Sequence, residues 1–509
     1  MLKQRPDILF LVLDTQRSDR LSCYGYPREI SPHLDRFSQS ATRFSNAVAA
    51  AQWTVPSHAS MFTGLYPSAH QVVQSYSVLP PEIPTLAERL SAGGYYTAGF
   101  CNNPLVGVIN NGLRRGFYSF LNYSGLLTSR PNQAGLASGW VGRYRQSFKR
   151  LLAGMLNQVQ DSFARSELLL ALSFSPLMVP IWQTALSFKG NTAKSLNDAA
   201  KLLIDRPGLS ADQPAFAFIN LMGTHMPYHP PRAYVERFAP HVLRDKAAQH
   251  YLRHFNGDVY GWLAPLAGSL DVDQKATLDG MYNAEVAYQD AQVGAFLQAL
   301  QESGRLENTL VVICSDHGEH LGEKELIGHS ISLYNELVQV PLLIRDPAGH
   351  FTAGLRSDVV STRCLFQTML TAAGLASEAE AALSLAQSPD LARRIFAEAI
   401  PPQNVLNLLQ KRQPELVKAH ACDQSRRAVW IGSHKLIETG SRLELYDFCN
   451  DPDETLDLSD IFPENVELLQ DYLQGFAGES LANLTPDRAP GFDDPEVQRR
   501  LRDLGYLED

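Results

Sequence analysis

A chain of 509 residues exceeds what one hydrophobic core usually holds, so one large and one smaller domain is the simplest division. Apolar residues at 45% and charged residues at 19% are ordinary globular values, and the formal net charge of −10 excludes the basic footprint of a nucleic-acid binder. Six cysteines, Cys23, Cys101, Cys314, Cys364, Cys422 and Cys449, share no CxxC spacing, which excludes a zinc knuckle or a disulfide framework and leaves them reduced and mainly structural.

In chain order, the first predicted element is the apolar run Ile8–Leu13, read as a buried parallel strand. It is too short for a secretory h-region and ends at Asp14 without a small-residue cleavage site, so a cytoplasmic location is expected. A helical pattern follows over Pro84–Ala92. From about Tyr123 to Asn197 the chain carries an insertion, within which Leu168–Phe188 has no charged residue. Pro176 and Pro180 argue against a membrane-spanning helix there. The favoured reading is a buried hairpin or an oligomer contact. The alternative is a lid over a hydrophobic or lipid-linked substrate, with peripheral membrane contact.

Two further buried-strand runs follow, Ala215–Leu221 and Thr309–Cys314, separated by a helical pattern over Glu285–Glu302. Each run ends in polar residues: Asp14, the pair Thr224-His225, and the pair Asp316-His317. Open α/β sheets hold ligands at the carboxyl ends of their strands, so three strands are expected to deliver chemistry to one rim. The alternation predicts a doubly wound, mostly parallel sheet with helices on both faces.

A second region is expected from about residue 390, dividing the chain into 1–389 and 390–509. Arg427–Gly432 and His434–Glu438 read as a hairpin about a Gly432-Ser433 turn. Leu443–Asp447 continues as a strand, and Pro495–Leu507 reads as a tail helix ending at Gly505.

The segment Gln52-Trp53-Thr54-Val55-Pro56-Ser57-His58-Ala59-Ser60, running on to Pro67, resembles the nucleophile segment of the sulfatase family within the alkaline phosphatase superfamily. The stretch Asp14-Thr15-Gln16-Arg17-Ser18-Asp19 is similar to that family's opening metal motif, and Cys314-Ser315-Asp316-His317-Gly318-Glu319 to its Asp-His pair. Leu443-Glu444-Leu445-Tyr446-Asp447, with Asn450-Asp451-Pro452-Asp453-Glu454, resembles the family's ending. The resemblance implies an alkaline phosphatase-like α/β fold with a smaller C-terminal α+β subdomain built on an antiparallel sheet. Singly, each motif reads as well as a turn or a helix cap; together and in order they point to one site.

The same resemblance implies roles. Asp14, Asp316, His317 and the Thr54 oxygen are implied ligands of one divalent metal. A mixed oxygen and nitrogen set suits Mn²⁺ first, with Zn²⁺ and Fe²⁺ close and Ca²⁺ less apt. Thr15 stands where calcium-dependent relatives carry a second Asp. True sulfatases oxidise a Cys or Ser at the nucleophile position to formylglycine, beside an Arg. Here Thr54 and His58 occupy those positions, so no formylglycine is expected and Thr54 is the implied nucleophile, acting through a phospho-threonine.

His225, in Thr224-His225-Met226-Pro227-Tyr228, and His329 are the implied acid–base groups, whereas His229 and His320 read as ordinary hydrogen-bonding residues. His58 and Asn103 are implied substrate contacts, with His58 equally suited to a structural bond in the Thr54 loop. Asp290, His225, His229 and His329 leave a second metal open. Few cations lie in the motifs beyond Arg17 and Lys324, which favours a phosphodiester or phosphonate monoester over a monoester dianion. A small-molecule phosphoester hydrolase is therefore expected. The alternatives are a sulfatase without formylglycine, a phosphoryl-group transferase and a non-catalytic metal-binding member of the family.

Overall fold

A computed structural model of the chain describes residues 5–124, 189–210, 212–257, 265–390 and 392–481. The expected tail helix and the apolar stretch Leu168–Phe188 lie outside the described residues. Of the expected insertion, the described C-terminal end enters a helix, Thr192–Asp205, capped by the Asn191 side chain, which accepts from Lys194 N.

The three apolar runs form the middle of an eight-stranded sheet. β1 (Asp7–Leu13) pairs in parallel with β5 (Ala215–Leu221) on one side and β6 (Thr309–Cys314) on the other. Outward from β5 lie β3 (Tyr96–Cys101) and β4 (Ser119–Asn122). Outward from β6 lie β9 (Gln339–Arg345), β2 (Thr42–Val48) and β10 (Gly354–Ser361). Among these eight strands β9 is the one that runs against its neighbours, so the sheet is mostly parallel as expected.

Every residue of β1, β5 and β6 is buried, because helices cover both faces. Leu9, Leu11, Leu13, Ile219 and Ile313 face the helices Thr192–Asp205 and Val272–Glu302. Ile8, Phe10, Val12, Phe218 and Val312 face Thr54–Thr63, Leu86–Ala92 and Leu365–Ala372. At roughly 1.5–3 kcal/mol for each large apolar side chain buried, these two layers fix the sheet's register. The register in turn sets the site. Leu13 pairs with Leu221 and Val12 with Cys314, so Asp14, the Met222–His225 turn and the Ser315–His317 turn leave adjacent strand ends.

The helix expected at Glu285 starts earlier, at Val272, behind a capping box of Asp271 and Gln274. Gly280 obscured this start. It lies where a Cβ would meet Ala239 Cβ at 2.9 Å and Phe238 O at 3.0 Å, so the glycine serves close helix packing, not a break.

A separate sheet follows near the C-terminus: β11 (Ile395–Ala399), β12 (Arg426–Ile431), β13 (His434–Thr439) and β14 (Arg442–Asp447), all antiparallel. The expected hairpin turn is present, with Gly432 at φ 59°. Ala428, Trp430, Ile437 and Tyr446 pack towards Val48, Leu337 and Val338 of the large sheet's edge. On the other face, Val429, Leu436 and Leu445 pack on Leu469 and Leu473 of the helix Pro463–Leu481. All six cysteines are free. No helix among the described residues is long and apolar enough to cross a membrane.

Candidate metal and nucleophile site

Asp14, Asp316 and His317 are wholly buried, and each contributes a ligand-capable atom within 4.8 Å of the others. Asp14 Oδ2 accepts from Asn103 Nδ2 at 2.7 Å and from Asn220 Nδ2 at 3.4 Å, whereas Oδ1 has no hydrogen-bond partner. Asp316 Oδ1 accepts from His317 N at 3.0 Å and Thr15 N at 3.3 Å, and its Oδ2 is likewise without one. That oxygen lies 3.4 Å from His317 Nε2 and 3.4 Å from His58 Nδ1. His317 Nδ1–H donates to Gly318 O at 2.9 Å, which leaves the Nε2 lone pair facing inwards.

Burial, and then the neighbouring Asp14 charge, push the Asp316 carboxyl well above the usual carboxylate range. Burial, reinforced by His329, holds His317 well below the ordinary imidazole value and therefore neutral. Two buried carboxylate oxygens without partners beside a neutral imidazole nitrogen are costly by themselves and suited to a divalent cation. The residues present thus fit the implied metal.

Thr54 is the first residue of the helix Thr54–Thr63, and its Oγ1 lies 3.3 Å from His317 Nε2. Trp53 gives that helix no side-chain cap, so the Thr54 and Val55 amides remain available to an anion, although Pro56 has no N–H to add. Ser57 Oγ donates to Asp316 O at 2.7 Å and ties the helix to the Ser315–His317 turn. Thr15, in the left-handed region at φ 60°, is a β-branched residue in a conformation costing of order 1–3 kcal/mol. The site holds it there through Thr15 N to Asp316, Tyr282 OH donating to Thr15 O at 2.7 Å, and Arg17 N donating to Tyr282 OH at 2.9 Å.

His329 Nδ1 lies 2.7 Å from Oε1 of the wholly buried Glu319, and its ring centroid is 4.6 Å from that of His317 and 5.0 Å from that of His225. Burial opposes a charged His329 ring, but the Glu319 carboxylate outweighs it and raises the ring's pKa above the ordinary value. For His225 burial dominates, aided by His329, and lowers the pKa. Its Nδ1–H donates to Met226 O.

A family model described as Sulfatase matches residues 6–375. The chain belongs to the sulfatase family. It is 23% identical over 356 residues to the uncharacterized sulfatase YidJ of Escherichia coli (strain K12), covering 68% of this chain and 64% of that one, so it spans just under two thirds of that relative. It is 23% identical over 378 residues to an arylsulfatase of Clostridium perfringens, covering 72% of this chain and 74% of the relative. Among solved structures, the phosphonate monoester hydrolase of Agrobacterium radiobacter superposes with a TM-score of 0.63 at 19% identity, covering 94% of this chain and 96% of that one.

Within this sulfatase-family site, two implied substrate contacts are placed differently from expectation. His58 is wholly buried; its Nδ1–H donates to Thr54 O at 2.9 Å and its Nε2 faces Asn220 Nδ2 at 3.4 Å. Both ring nitrogens are engaged inside the protein, so His58 ties the Thr54 turn to Asn220 of β5. Asn103 spends an amide hydrogen on Asp14 Oδ2, and its Oδ1 caps the next turn by accepting from Leu105 N at 2.9 Å. It orients the Asp14 carboxylate.

Asp290 lies outside the Asp14, Asp316 and His317 cluster. Its two oxygens accept from His33 N at 3.0 Å and Leu34 N at 2.8 Å, at the start of the helix Pro32–Ser38. His320 is a core residue, with Nε2 2.6 Å from Ser332 Oγ. His229 is exposed, its backbone N–H donating to Glu285 Oε1 at 2.7 Å. Arg17 is bound to Asp19 at 2.7 Å and Glu323 at 3.0 Å, and Lys324 Nζ donates to Asp453 O at 2.8 Å, so both cations considered from sequence are committed elsewhere.

Three residues of this family member carried no role in the sequence reading: Ser315, Asn220 and Glu319. Ser315 Oγ accepts from Gln16 N at 3.0 Å and lies 2.5 Å from Leu13 O and 2.6 Å from His317 O, either of which can take its one hydrogen, so it joins the end of β1 to the Ser315–His317 turn. Asn220 carried a readable signal, a lone amide near the end of an otherwise apolar buried strand. Gly318 marks the tightest packing, since a Cβ there would meet Glu336 O at 2.0 Å and Arg17 Cγ at 3.3 Å. Gly318→Ala must therefore displace His317 or Glu319. Turnover is expected to fall at least ~100-fold, as misplacement by about 1 Å costs. Steady-state kinetics on the purified variant checks this, and wild-type rates would refute it.

Proposed function

We propose that this chain is a metal-dependent hydrolase of phosphoesters, with phosphodiesters or phosphonate monoesters favoured, in which Thr54 forms a covalent phospho-enzyme. The observation that carries the reading is the Thr54 hydroxyl itself: an alcohol unable to follow the Cys or Ser route to formylglycine, set at a helix start 3.3 Å from His317 Nε2. Asp14, Asp316 and His317 would hold the cation, Mn²⁺ by preference, with Thr54 Oγ1 beside them. Once bound, the metal supplies Lewis acidity that favours the Thr54 alkoxide and offsets charge on the phosphoryl oxygens.

The protein's own groups supply the rest. The start of the Thr54–Thr63 helix offers backbone donors to a non-bridging oxygen. His329 gives its proton to the leaving alkoxide as the bond between phosphorus and the leaving oxygen breaks and the bond to Thr54 Oγ1 forms. His225, beside it, takes a proton from the water that later releases the group from Thr54. The preference for an esterified, singly charged substrate is supported by Arg17 and Lys324 being bound elsewhere, which leaves a dianion without those two clamps. Phosphonate monoester hydrolysis is the activity named for the A. radiobacter structure, a likeness that carries the fold; it enters here as the chemistry most consistent with Thr54. Six free cysteines fit the reducing cytoplasm expected from the sequence.

The second reading, a sulfatase working without formylglycine, is favoured by relatives such as the C. perfringens arylsulfatase. Release of p-nitrophenol from bis-p-nitrophenyl phosphate, p-nitrophenyl phosphate, a p-nitrophenyl phenylphosphonate and p-nitrophenyl sulfate, with Mn²⁺ present, separates the two. The diester and phosphonate are expected to lead; preferential sulfate turnover would establish the second reading. His329→Gln is expected to slow an alkyl-ester leaving group by roughly 100-fold or more while sparing p-nitrophenolate, which needs little protonation. Equal slowing of both esters would remove His329 as proton donor.

A further inference from the structure

We propose that Glu319 is the positioning residue for His329, fixing the face that the ring presents to the leaving group. The proposal rests on the reading of His329 as proton donor, and concerns the ring's orientation.

A short antiparallel pair, β7 (His320–Leu321) and β8 (Ile327–Gly328), lies just beyond the Ser315–His317 turn. Its register sets His320 against Gly328, so Glu319 and His329 are the next residues outward, facing one another across the ladder's end. Backbone bonds clamp the Glu319 side of this contact. Gly318 N donates to Leu337 O at 2.7 Å and Glu319 N to Glu336 O at 3.1 Å, while Arg17 Nη1 donates to Glu319 O at 3.0 Å. Gly328 is in the left-handed region at φ 87°, which turns the chain into His329.

Glu319 is wholly buried and its Oε1 takes the His329 Nδ1–H at 2.7 Å. With Nδ1 thus occupied, Nε2 remains as the ring's other polar edge, in the cluster of His225 and His317. An acceptor on one imidazole nitrogen decides which nitrogen is left for chemistry. Glu319 Oε2 has no partner, so the carboxylate's bonding in this pocket is directed to the one ring.

The test uses full-length protein. With a phenylphosphonate monoester carrying an alkyl leaving group, Glu319→Ala is expected to lower kcat about 100-fold with KM little changed. Glu319→Gln, which keeps an acceptor for Nδ1–H, should recover to within about 10-fold of wild type. Glu319→Ala combined with His329→Gln should be no worse than His329→Gln alone. Equal impairment of the Ala and Gln variants, or additive losses, would overturn the proposal. Glu319→Met replaces Glu319→Ala where the cavity prevents folding.

A readout independent of turnover comes from ¹⁵N-histidine-labelled protein. The hydrogen-bonded Nδ1–H resonance that disappears in His329→Gln should persist in Glu319→Gln and vanish in Glu319→Ala. Its persistence in Glu319→Ala would overturn the proposal. Should that resonance behave as expected while His329→Gln leaves alkyl-ester turnover intact, Glu319 remains the positioning residue and the proton-donor reading falls.

Discussion

Thr54→Ala is expected to lower phosphoester turnover by at least ~1,000-fold in kcat, because the neighbouring Ser57, Thr224 and Thr15 hydroxyls are spent on Asp316 O, Asp14 O and Thr224 Oγ1. Thr54→Ser, which keeps the oxygen and drops a methyl group, stays within about 10-fold of wild type. The side chain is buried and its contact in the site is with His317 Nε2 at 3.3 Å, so the alanine variant loses roughly 1 kcal/mol of stability at most and remains folded. Comparing kcat and the thermal midpoint for both variants checks the claim. An alanine variant retaining a tenth of wild-type activity would mean that water, not Thr54, attacks.

Asp316→Asn has effects of opposite sign with and without metal. In metal-free protein, two carboxylate oxygens, Asp14 Oδ1 and Asp316 Oδ2, are buried without hydrogen-bond partners in one small space. Replacing one carboxylate by an amide removes that conflict and keeps the oxygen that accepts from Thr15 N and His317 N, so the metal-free variant is more stable by roughly 1–3 kcal/mol. With cation at about 100 times its Kd, wild type gains about 2.7 kcal/mol, and the variant gains far less because an anionic ligand is gone. Thermal melts with EDTA and with saturating Mn²⁺ measure both. A metal-free variant less stable than wild type, or one with an undiminished Mn²⁺ shift, would refute this account of the site.

Much of the scaffold was legible because its physics is local. Ile8–Leu13, Ala215–Leu221 and Thr309–Cys314 are uninterrupted apolar runs, which is how strands covered on both faces read, and the polar residue ending each run marks the rim. The Arg427–Glu438 hairpin was legible from alternation about a glycine turn. Asp14, Asp316 and His317 could be grouped from motif order. Long-range side-chain commitments had no such signature. That Asn103 bonds Asp14, that both nitrogens of His58 are taken by Thr54 O and Asn220, and that Asp290 caps a helix far back in the chain depend on register and burial. Glu319 was visible in the Asp-His-Gly-Glu run, but its partner His329 is set by the two-residue ladder of β7 and β8, too short to read from periodicity.

The most direct measurement is peptide mass spectrometry of Mn²⁺-loaded protein, acid-quenched during turnover of p-nitrophenyl phenylphosphonate. The account predicts a phenylphosphonyl group on the peptide containing Thr54, absent from Thr54→Ala. Steady turnover with that peptide unmodified in a rapid-quench series, or the group on another residue, would contradict it.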